Sequence, residues 1–199
     1  GSDLLQVTID NDNPKGTVNN CSMGHTPWGT YITCEENFDQ YFGSKNVDWV
    51  ASDEQKRMSI SGPDEGEEYG WHLFDDRFDL ALNPNEDHRF GWIVEIDPQD
   101  PDKKPIKRTA LGRFKHEGAT VVEGRGKRMV VYSGDDERNE YIYKFVSAKN
   151  WKAMRAQGTS PLDEGTLYVA EFKADGTGVW NELSPNNPKL ADKPLDWIM

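Results

Sequence analysis

The sequence predicts an all-β fold of short antiparallel strands, a propeller or a sandwich, with long polar loops and one or two short helices. Three observations lead there. From about residue 90 to 183, apolar runs recur at short spacing with Gly, Pro and Asp between them. The chain carries 7 Trp, 7 Tyr and 8 Phe, while Leu, Ile, Val and Phe together make up only about one fifth of it. Helix signals are few and short. Rings in that number exclude a solvated, disordered chain of 199 residues. No strict repeat shows at a period of about 40–50 residues, so periodicity alone does not choose the propeller.

The strands justify themselves in order. Gly29 to Cys34 (GTYITC) is β-branched and aromatic after a Pro-Trp-Gly turn, and Gly91 to Ile96 (GWIVEI) ends at the turn Asp97-Pro98. Ala119 to Val122 and Arg128 to Ser133 flank the Gly-rich stretch Glu123 to Lys127 and read as a hairpin. In Tyr141 to Ser147, Tyr141, Tyr143 and Phe145 share one face, with Ile142, Lys144 and Val146 on the other. Thr166 to Lys173 is a further strand, turning through residues 174–178 into Val179 to Leu183. Two helices are expected. One is a turn or two over Glu36 to Tyr41; the other covers Ala148 to Ala156, with Ser147 as cap and Gly158 as stop. Residues 43–69 are polar and strand-poor and read as a surface insertion. The chain is taken as one domain over 1–199. Its opening Gly1-Ser2 reads as a cloning scar, and its apolar Trp197-Ile198-Met199 end as an interruption within something longer.

Charge narrows the partners. The formal net charge of −12, with 35 acids against 23 Lys and Arg, disfavours nucleic acid and anionic membranes. No apolar stretch is long enough to span a bilayer, and no signal peptide opens the chain. Nucleotide-loop, nucleophile-elbow and His-Glu-x-x-His templates are missing, and 4 His leave few ways to build a His-rich zinc site.

Three polar clusters could carry chemistry. The first runs from Asn20-Cys21 through Gly24-His25-Thr26-Pro27-Trp28-Gly29-Thr30 to Thr33-Cys34-Glu35-Glu36. A thiolate suits a transition metal, and carboxylates suit calcium, magnesium or ferric iron. The plainer reading is a buried hydrophobic Cys beside solvated acids. On an extended chain Glu35 and Glu36 point to opposite faces, and Glu36 shares its face with Cys34. A Cys21–Cys34 bridge would add about 3 kcal/mol by loop entropy and would remove the thiolate. The second cluster is Lys115-His116-Glu117-Gly118-Ala119-Thr120, readable as a carboxylate at a strand entry or as a polar turn. The third, Ser133 to Glu140, is acidic enough for calcium or is a solvated turn.

Taken whole, the first cluster resembles the signature of the PhoX-type alkaline phosphatases. So do Gly112-Arg113-Phe114-Lys115-His116-Glu117-Gly118-Ala119 and Tyr132-Ser133-Gly134-Asp135-Asp136 with Glu140-Tyr141-Ile142-Tyr143-Lys144-Phe145, in the same order. The resemblance implies a secreted or periplasmic bacterial phosphomonoesterase, exported folded, monomeric, and built as a β-propeller. Its site would combine ferric iron and calcium, bridged by an oxo group. Cys21 would then be the iron thiolate, with Glu36 and Glu117 as carboxylate ligands and Glu35 as a weaker candidate. Asp135 and Asp136 would be calcium groups or would support the ligands. Asn20, Thr26 and His116 are the candidates for contacting a small phosphomonoester. One departure stands out. The family's enzymes are considerably longer and carry an Arg-Pro-Glu motif that grips phosphate and joins the metals, and none occurs here. The expectation is therefore an incomplete propeller, no more than half of a six-bladed one, inactive by itself. The rival readings are a non-catalytic, calcium-binding propeller module and a propeller hydrolase acting on lactones or sugars. A phosphate ester is repelled on average by a chain of this charge, and clustered cations would invert the sign locally.

Overall fold

Each predicted β run finds its neighbour in sequence as its neighbour in space, and the outcome is two meandering antiparallel sheets. The computed structural model describes residues 15–61 and 69–193; Gly1-Ser2, the apolar 197–199 end and residues 62–68 lie outside them. The first sheet joins β1 (Asn20–His25), β2 (Tyr31–Glu35), β3 (Ile93–Ile96) and β4 (Ile106–Lys107) in chain order. The second joins β5 (His116–Glu123), β6 (Arg128–Asp135), β7 (Ile142–Asn150), β8 (Gly165–Phe172) and β9 (Gly178–Glu182). The helices are short: α1 (Asp53–Arg57), α2 (Trp151–Ala156) and several single 3-10 turns, including Phe38–Tyr41. The antiparallel all-β reading holds.

Two elements depart from the sequence reading, each for a physical reason. β1 has no apolar alternation, and only Gly24 in it is buried. It is extended because β2 pairs with it on one side. The expected helix over Ala148–Ala156 starts late. Ser147 is fully buried in the sheet, where its hydroxyl accepts from the Met129 amide at 2.9 Å and donates to the Lys149 carbonyl at 2.8 Å. The chain stays extended through Asn150. The Asn150 side chain then accepts from the amides of Lys152 and Ala153, and α2 begins at Trp151. Gly158 follows in the left-handed region, as expected of a helix stop.

Two cores result. Ile32, Cys34 and Ile93 of the first sheet meet Ala119, Val131, Phe145 and Leu167 of the second, with Leu111 and Leu162 from the connections. The sheets therefore share one interior. A second, ring-rich core of Phe38, Phe42, Ile60, Phe78, Leu80 and Phe90 lies under the long β2–β3 connection. The 43–69 segment thus sends Ile60, Ala51 and Gln55 inward, with α1 started by a reciprocal Ser52–Gln55 capping box.

The two sheets are built on one hydrogen-bond pattern. In the first, Asn20 pairs with Glu35 and Met23 with Thr33, leaving a bulge at Cys21-Ser22. In the second, His116 pairs with Asp135 and Ala119 with Ser133, leaving a bulge at Glu117-Gly118. The Glu36 amide donates to the Asn19 carbonyl, and the Asp136 amide to the Lys115 carbonyl, both at 3.0 Å. Glu35 N–H reaches Trp92 and Asp135 N–H reaches Tyr141, each the residue just before the third strand of its sheet. Residues 19–24 therefore correspond to 115–120, and 35–36 to 135–136.

β1 and β5 come together where side chains vanish. A Cβ on Gly24 would stand 2.2 Å from the Ala119 carbonyl oxygen, a backbone atom that cannot swing aside. Gly24→Ala is expected to cost roughly 1–3 kcal/mol, seen as a fall of several degrees in thermal midpoint. Gly134→Ala, with nothing within 4 Å of the added carbon, should leave the midpoint nearly unchanged.

A buried ionic network also ties the sheets. Glu95 on β3 accepts from Thr30 at 2.5 Å, Trp28 at 2.8 Å and Arg108 at 2.6 Å, and Arg108 reaches on to Asp163, between α2 and β8, at 2.8 Å. Burial pushes the Glu95 carboxyl up, but Arg108 and the two donors outweigh it and hold the carboxyl below its ordinary 4.5. The unfolded chain then takes up this proton at a higher pH than the folded one. The stabilisation is fully present above 4.5 and fades as pH falls through the lowered folded value. Thermal melts against pH should show Glu95→Gln less stable than the parent near neutrality, with a shallower loss in acid.

Candidate metal centre

The bulges decide which side chains meet. Inserting extra residues turns Cys21 in β1 and Glu117 in β5 out of the normal alternation, and both are exposed. Glu36 and Asp136 stand at matching places, each the first residue after the second strand of its sheet. With β1 against β5, the four groups converge. Glu36 lies close enough to Cys21 and to Asp136 for each to bear on its acidity, and Glu117 is close enough to act on both Cys21 and Glu36.

Their mutual charge is visible in their acidities. Partial burial, then Glu36 and then Glu117, push the Cys21 thiol up. Partial burial raises Glu36, and Asp136 and Glu117 add to it against the lowering effect of Cys21. The Cys21 thiol and the Glu36 carboxyl are thus both held toward their neutral forms. One thiol and three carboxyls are a donor set that suits a transition metal through sulfur and a hard cation through oxygen. Among the described residues, no three His, Cys, Asp or Glu side chains are drawn tightly enough to hold an ion. The chemistry of the four groups fits a cation; their spacing is that of a set held apart.

The neighbouring acids are placed elsewhere. Glu35 is fully buried, and its carboxylate takes the Lys107 ammonium at 2.8 and 3.1 Å with the amides of Trp92 (3.0 Å) and Val18 (3.2 Å). Asp135 pairs with His116 through its backbone, and its side chain accepts from the Glu137 amide at 3.2 Å. Burial, with help from Glu140, pushes its carboxyl up to about 6.

The profile of the family described as "Alkaline phosphatase PhoX" matches residues 1–195. The chain belongs to the PhoX family. A solved structure of Pseudomonas fluorescens PhoX in complex with vanadate, a transition state analogue, is 53% identical, with a TM-score of 0.77. The match covers 85% of this chain and 30% of that one, so the chain spans less than a third of its relative's length. None of the curated proteins compared matches significantly.

Within this PhoX-family chain, the expected substrate contacts fall in different places. His116 is fully buried. Its Nε2 lies 3.0 Å from the Gly112 carbonyl and its Nδ1 2.8 Å from the Ser133 hydroxyl, which itself donates to the Gly118 carbonyl, and its ring centre lies 3.6 Å from that of Phe114. Burial lowers its pKa to about 4. This places His116 in the core rather than against a substrate. Thr26 is also buried, just beyond the end of β1 away from Cys21, with its hydroxyl 2.7 Å from that of Thr30. Asn20 alone stays exposed beside Cys21, donating to Thr17 at 2.8 Å.

Sequence reasoning passed over the cations. Lys115, itself buried, spans from Asp39 (3.2 Å) to Glu137 (2.7 Å), and Glu137 also takes the Ser59 hydroxyl at 2.5 Å. These contacts hold Glu137 down at about 2. Lys107 lies in a basic run with nothing to distinguish it from its neighbours.

Both cysteines are free, Cys21 exposed and Cys34 buried, and burial first, then Cys21, pushes Cys34 up to about 12. A maleimide should therefore label one thiol in the folded chain, mapped by mass spectrometry to Cys21. Cys34 should react only after denaturation.

Proposed function

We propose that this chain supplies part of the metal centre of a phosphomonoesterase of the PhoX type. The observation that carries the reading is the convergence of Cys21, Glu36, Glu117 and Asp136 from corresponding places in two sheets. Ferric iron would take the Cys21 thiolate with carboxylate support, and calcium the oxygen-rich side toward Asp136, with Asp135 next to it. When bound, such cations supply the positive charge that draws in and polarises a phosphate ester. The chain's own residues do the rest. The bulges hold the donors at the surface, Glu36 and Asp136 are fixed through their amides, and the excess of acids offsets the charge of the cations. Vanadate in the P. fluorescens relative supports phosphate esters as the substrate class.

The same reading extends to architecture and setting. Meandering antiparallel sheets whose first strands touch are what successive propeller blades present around an axis. We read the chain as adjoining blades of such a propeller, in a monomeric protein working outside the bacterial cytoplasm.

The test uses both the chain and its relative. Elemental analysis after dialysis against calcium and ferric citrate should find metal on the chain and a clear loss in Cys21→Ser. A chimera of the P. fluorescens enzyme carrying residues 15–193 in place of its own should hydrolyse p-nitrophenyl phosphate. In that chimera, Cys21→Ser or Glu117→Gln should lower kcat/KM by more than about 100-fold, beyond what loss of a supporting group costs. Metal-free chain with an active Cys21→Ser chimera would overturn the reading. A chimera that binds calcium but turns over nothing would favour a calcium-binding module.

A further inference from the structure

We propose that the buried Glu35–Lys107 pair is the positioning device of the first sheet. It sets where Cys21 and Glu36 stand without itself being a ligand, and it rests on the reading of those two residues as metal donors. Glu35 closes β2, and its two oxygens gather four contacts from three separate stretches of chain: Lys107 of β4 twice, the Trp92 amide and the Val18 amide. Each contact leads to the site. Val18 opens the stretch in which the Asn19 carbonyl takes the Glu36 amide and the Asn19 side chain takes the Asn37 amide, both at 3.0 Å. Cys21 follows two residues later. Trp92 returns the bond, its carbonyl accepting from the Glu35 amide at 3.2 Å. Lys107 is fixed in turn by the Arg89 carbonyl at 2.5 Å and by the face of Phe90, 4.3 Å from the ring centre.

Adhesion alone does not account for the pair. Buried charges lose hydration, and an apolar pair of similar volume would hold the strands as well or better. The ion pair adds direction, because a carboxylate held by four contacts from three donor groups admits one arrangement of the peptides around it. The second sheet has no such device. There the place of Glu35 is taken by Asp135 and that of Lys107 by Val169, so that the Asp136–Lys115 backbone bond, the counterpart of Glu36–Asn19, stands without an ion pair behind it at that place. The clamp therefore belongs to the half of the site that carries the thiol.

The experiment compares the parent chain with Lys107→Arg and with the double variant Glu35→Gln/Lys107→Met, which removes both charges and strands neither. Amide hydrogen exchange is read on the metal-free proteins, and calcium and ferric-citrate binding on the same samples. In the double variant, protection at Val18, Glu36 and Asn37 should fall at least about tenfold while β6 and β7 stay unchanged, and metal affinity should fall by a similar factor. Lys107→Arg should keep both. Unchanged protection overturns the clamp, and so does lost protection with unchanged metal affinity, since the pair would then be structural only. If the double variant does not fold, Glu35→Gln alone, which keeps an acceptor for the amides, carries the comparison. A parent chain that binds neither metal sinks the metal reading, while the exchange data still decide whether the clamp orders Cys21 and Glu36.

Discussion

The close approach of β1 and β5 is the constraint on which everything else depends. Gly24 has no side chain because the Ala119 carbonyl occupies the space one would need. The closeness of these two backbones makes the two bulges neighbours. Without it, Cys21 and Glu36 would form one small acidic group and Glu117 and Asp136 another, each solvated and unremarkable. Contact turns two weak pairs into one quartet, in which the carboxyls of the second sheet help to raise Cys21 and Glu36 of the first.

Gathering like charges has to be compensated elsewhere, and the compensation lies just behind the quartet. Glu35 meets Lys107, and Asp39 and Glu137 meet Lys115. Each cation is buried and already engaged, so neither is placed to neutralise the quartet itself. The result is a patch of carboxyls, Glu117 and Asp136 exposed and Glu36 buried, above an ion-paired base. A cation bound there, as proposed above, would offset their charge.

Much of the fold was legible because its strands are marked by rings, β-branched residues and turn punctuation. The Glu123–Lys127 hairpin and the alternation from Tyr141 to Ser147 are examples. β1 was not, since its residues are polar and its conformation comes from its pairing with β2. At the candidate site, the family resemblance named Cys21, Glu36 and Glu117, with Glu35 as a weaker candidate and Asp135 and Asp136 together, while strand alternation put Glu35 and Glu36 on opposite faces. His116 and Thr26 show the limit of that reasoning. A polar residue in a motif can be a satisfied core group, and only burial tells the two apart. Lys107 went unnoticed, and Lys115 was given no role within its cluster, for the opposite reason. A lysine reads as solvated surface until the fold supplies carboxylates around it.

The missing sequence repeat has the same kind of explanation. The two sheets repeat in hydrogen bonds, bulge for bulge and register for register, while their residues do not: Cys21 answers Glu117, Asn19 answers Lys115, and Glu35 answers Asp135. Between the second and third strands, the first sheet also carries residues 36–92, with a core of their own, where the second has only 136–141. A search for a fixed period therefore sees nothing. Backbone hydrogen bonding tolerates almost any side chain at an exposed bulge, so the geometry persists while each bulge is free to offer a different donor. A thiol from one sheet and carboxylates from both is the kind of mixed donor set that such freedom allows.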